Sequence, residues 1–167
     1  MGLRAETCKE TSKESATKIH GQPTDQDLTL LQKELISIAA NIPTALGVGN
    51  HGHAGIIVEP TKYLVMMGGT AFVNPVHPGI YPAGLAANAA AGTCAMAEAV
   101  HKEQIAQLKI FAGVEQALND IIFKAVNHDY LLEIKDDTLG FLNQMPRSII
   151  NNLHSMQSRQ SIRLCGY

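Results

Sequence analysis

Apolar residues between Pro23 and Pro43 fall at Leu28, Leu31, Leu35, Ile38 and Ile42, in steps of three and four with polar residues between them. That spacing places them on one stripe of a helix and predicts an amphipathic α-helix. Thr24 stands where an N-cap belongs, Asp27 occupies the capping-box position, and Asp25 suits the positive end of the helix dipole. Asn41 and Pro43 predict its end. Residues 1–20 are polar, rich in Lys, Glu, Ser and Thr, and read as a disordered leader.

The pattern changes from Leu46 to Pro82. "AGIIVEP" and "TAFVNP" are short β-like runs, and "TKYLVMMGG" between them suits either a helical turn or a further strand. Gly68-Gly69 marks a turn. "NPVHPGIYP" holds three prolines and must be extended. This stretch therefore predicts a small β-hairpin-like insertion, residues 46–82, followed by a rigid connector. Beyond Pro82 helix-forming sequence dominates. An Ala-rich run from Ala83 leads into a stripe of Phe111, Val114, Leu118, Ile121, Ile122 and Ala125, which predicts one long helix reaching Leu132, weakened at Gly92. "KDDTLG" predicts a turn, and "MPRSIINNLHSM" a last helix with Pro146 in its first turn. The polar tail 157–167 reads as loose. The expected fold is mainly α: one helical domain, 21–156, with a β appendage between the first helix and the long one.

Composition narrows the function. Aromatic residues make up 5% and Trp is absent, which with abundant Ala favours closely packed helices over a β-sandwich. A net charge of -2 without a Lys/Arg cluster argues against this chain gripping a nucleic-acid backbone by itself. Cys8, Cys94 and Cys165 are widely spaced and odd in number, so neither a disulfide framework nor a zinc knuckle is encoded. A reducing, cytoplasmic setting is the default expectation. The first residues have no apolar core of a secretory signal, and Glu6 occupies the place a myristoylation signal gives to Ser or Thr. No run is long and apolar enough to cross a membrane.

Candidate chemistry concentrates in "LGVGNHGHAGIIV", where four glycines and two histidines fall between Gly47 and Gly55. Gly47, Gly49 and Gly52 fit G-x-G-x-x-G, but a dinucleotide site needs strand, glycines, then helix, and here a helix comes first. His51 and His53 form an i, i+2 pair that an extended strand would present on one face, as in zinc chelation, with His77 as the near third ligand. No acid flanks the pair as a general base. The competing reading makes both histidines hydrogen-bond partners of a tight turn, with positive φ at one or more of Gly47, Gly49, Gly52 and Gly55. Elsewhere Cys94 reads as an inert thiol in an Ala-rich helix, and Asp136-Asp137 as a solvated turn. His101 reads as a surface partner of Glu98, while His128 and His154 lack a supporting acid nearby in sequence beyond Asp129. No catalytic centre assembles from these residues, and no cofactor is implied.

The order "GQPT", "LGVGNHGHAGIIV", "FVNPVHPG", "VEQALNDIIFKAV", "DYLLEIKDDTLGF" resembles the Gag, or capsid-like, region of copia-type LTR retrotransposons, over about residues 19 to 153. That region carries a glycine-rich segment of the form GGGxHGHLGLV and a downstream Phe…Pro…Pro-Gly. Gly47, Gly49, His51, Gly52, His53 and Gly55, with Phe72, Pro75, Pro78 and Gly79, carry the likeness. Val48 stands in place of a glycine and Ala54 in place of a leucine, and the chain reads "LCGY" where the family continues towards a nucleic-acid-binding knuckle. The resemblance implies a non-enzymatic, self-associating structural protein. Its partner would be further copies of itself, with RNA held only through a segment not present here. The alternatives are a small metal-dependent enzyme built on His51 and His53, or a helical adaptor that binds another protein.

Overall fold

The computed structural model describes residues 18–47, 50–81, 88, 90–142 and 144–164, with side chains of the last helix described to Arg159. Among the described residues there are five α-helices and one 3-10 turn. Helix α1 is Asp25–Ala40, with Thr24 capping it as the spacing predicts. The Thr24 hydroxyl accepts from the Asp27 amide at 3.2 Å, and the Asp27 carboxylate accepts from the Thr24 amide at 3.1 Å and its hydroxyl at 2.7 Å. These bonds hold the Asp27 carboxyl below the usual carboxylate range. Leu28, Leu31, Leu35 and Ala39 form its buried stripe.

The expected β-hairpin at 46–82 is not formed. "AGIIVEP" instead makes a 3-10 turn, Ala54–Ile56, and the entry to helix α2, Pro60–Met66. Ile56, Ile57 and Val58 are buried in succession, which strand alternation does not allow on a two-faced surface but a wedged turn does. Pro60 opens α2 at the first-turn position where its missing N–H costs nothing. "TAFVNP" is extended but pairs with no strand among the described residues, where the single bridge joins Asp136 and Gly140.

Helix α3, Ala91–Ala125, is long, as expected, but stops short of Leu132. Val126 is extended, and the Asn127 side chain accepts from the Asp129 amide at 3.1 Å, starting helix α4, His128–Ile134. The Ala125 carbonyl at the end of α3 accepts from the Ile19 amide at 2.8 Å. Ile19 is itself buried, so order begins before the expected start at Pro23. The KDDTLG turn forms as read. The Asp136 carboxylate accepts from the amides of Leu139 at 2.8 Å and Thr138 at 2.9 Å, which lowers its pKa. Helix α5, Pro146–Leu164, starts at the predicted proline and continues helical past Gln157.

The core lies among α1, α5 and the second half of α3. Leu28, Leu31 and Leu35 meet Leu118, Ile122, Ile149, Ile150 and Leu153, with Leu131 of α4 closing one end. A smaller cluster of Ala54, Val58, Tyr63 and Met67 lies beneath the 3-10 turn and α2. Arg147 ties α5 to this corner by donating to the Val58 carbonyl at 3.1 Å, and the Asn151 amide donates to Glu59 at 3.0 Å.

Candidate functional site: a glycine-histidine corner and a projecting arm

The glycine-histidine segment forms a corner that locks the end of α1. Gly47 (φ +62) and Gly52 (φ +49) take left-handed conformations, as the turn reading requires. Gly49 and Val48 lie outside the described residues. A Cβ on Gly52 would meet the carbonyl oxygens of Ile42, Ala40 and Ala39, so glycine is needed there for space as well as conformation. Gly55 has ordinary φ, but a Cβ there would fall on the Phe72 ring. A Cβ on Gly47 would lie 2.6 Å from the Tyr63 hydroxyl.

The two histidines part company. His53 is 1% exposed; its amide donates to the Ala39 carbonyl at 2.9 Å, and its Nδ1–H donates to the Ile42 carbonyl at 2.9 Å. Ala39 is in the last turn of α1, where its carbonyl also accepts from the Ile42 amide at 3.2 Å, and Ile42 lies two residues past the helix, so His53 ties the chain leaving α1 back against the helix end. Burial depresses its pKa, partly offset by the Ile42 bond, and keeps the ring neutral. His51 is exposed. His77 lies on the extended segment beside α3, where its Nδ1 accepts from the Gly79 amide at 3.0 Å. No three His, Cys, Asp or Glu side chains gather as a metal cage among the described residues.

The second half of the motif builds something else. Phe72, Pro75, Pro78 and Tyr81 are half-buried, while the residues between them are exposed. Inward contact every third residue is the period of a polyproline II helix, and the prolines favour that form. We call this segment, 70–81, the strap. Phe72 stacks on Phe111 with ring centroids 6.4 Å apart, the Gly79 carbonyl accepts from His101 Nε2 at 3.1 Å, and the Tyr81 hydroxyl donates to the Cys94 carbonyl at 2.9 Å. The strap therefore runs antiparallel along α3. The lengths agree: nine polyproline steps span about 28 Å and seventeen helical steps about 26 Å. His101 thus faces Gly79 and the Tyr81 ring, and Glu98 pairs with Lys102 instead of His101.

Strap and helix together form an arm. From Ala91 to Ile110 no residue of α3 is fully buried; burial starts at Phe111. Under the strap, Cys94, Ala97, His101, Ile105 and Leu108 are half-covered. Met96 and Val100 lie on another face and are exposed, as are Val73, Val76 and Ile80 on the strap. Neither the arm nor the exact corner geometry was evident from the sequence. The three-residue spacing of Phe72, Pro75, Pro78 and Tyr81 was the signal for the first. The fold also pairs His154 Nδ1 with Asp25 at 2.7 Å, across a sequence distance that hid it.

No family model, curated protein or solved structure matches this chain.

Proposed function

We propose that this chain is a non-enzymatic structural protein that associates with itself, a capsid-like domain of the kind its motifs resemble in copia-type Gag regions. One observation carries the reading: α3 outruns its own core by some five turns and takes exposed Met96 and Val100 with it. The strap covers one side of that stretch, and because most helical stability comes from packing an apolar face, its other side gains little by staying in water. Covering by neighbouring chains supplies that packing. The glycine-histidine motif fits the same reading, since it fixes the end of α1 and sends the chain to the strap without presenting a reactive group.

The test is light scattering with negative-stain microscopy on the purified 167-residue chain. The expected result is a concentration-dependent rise in mass above 17.9 kDa, with discrete assemblies at high concentration. A species that keeps the monomer mass at millimolar concentration overturns the proposal. The metal-enzyme alternative predicts bound zinc that disappears in His51→Ala/His53→Ala, which elemental analysis reads directly.

A further inference from the structure

We draw no further inference here: the strongest candidate, the exposed apolar face of Met96 and Val100 on the projecting half of α3, carries nothing because nothing in the structure shows what covers it.

Discussion

At Gly52 the backbone takes φ +49 and passes within reach of three carbonyl oxygens at the end of α1. Gly68 (φ +60) has a similar conformation but open space around it. The pair separates two costs of adding a Cβ. Gly68→Ala should cost about 1 kcal/mol from left-handed strain alone, while Gly52→Ala should cost at least about 2 kcal/mol more because the corner must open. Chemical denaturation of both variants measures the difference, and equal losses would show that the close approach is unimportant. His53 adds a pH dependence of known sign. Its folded pKa lies below the ordinary 6.5, so as pH falls the unfolded chain takes the proton first. The stability it contributes is complete above about pH 6.5 and declines as pH falls from there through the depressed folded value. His53→Asn, which can place an amide N–H near Nδ1, should flatten the thermal midpoint between pH 7 and pH 5 relative to wild type. An unchanged slope would mean that His53 is not buried neutral.

Among the elements, α3 combines two environments in one continuous helix. Leu118 is fully buried between α1 and α5, and Val100, five turns earlier on the same face, is half exposed. Leu118→Ala should therefore destabilise the fold by about 2–5 kcal/mol, whereas Val100→Ala should change monomer stability by less than about 0.5 kcal/mol. Thermal unfolding at low concentration compares them, and a large loss at Val100 would place the arm inside the cooperative core. Helix α1 depends instead on its end groups. Thr24→Ala removes the acceptor for the Asp27 amide and should cost about 1 kcal/mol. Periodicity and capping residues made α1 and the start of α5 legible in the sequence, because both signals are local. The break at Val126 was less visible: the apolar stripe of α3 runs on in phase into α4, and only Asn127, a good N-cap, marks the new start.

On the scale of the whole molecule, a body of packed helices carries an arm in which the strap packs on α3 without fully burying any residue from Ala91 to Ile110. Local opening should follow that division. In hydrogen exchange on dilute monomer, amides of α3 before Ile110 should exchange faster than those after Phe111, and association should slow the first group. Uniform protection along α3 in the monomer would contradict the division. The sequence by itself determined the helical class, the cap and stripe of α1, the proline start of α5, and the left-handed glycines of the corner, since each follows from backbone sterics or helical spacing within a few residues. Tertiary structure alone decided that Ile56, Ile57 and Val58 form a buried turn rather than a strand. A short apolar run has no period long enough to choose, and only packing against α1 and Phe72 settles it. It likewise decided that His53 ties the chain back against a helix end while His77 joins the strap. The bond to His77 is local, from the Gly79 amide, but the carbonyls of Ala39 and Ile42 that His53 meets lie at the end of another element, and the chain must fold before they are its neighbours.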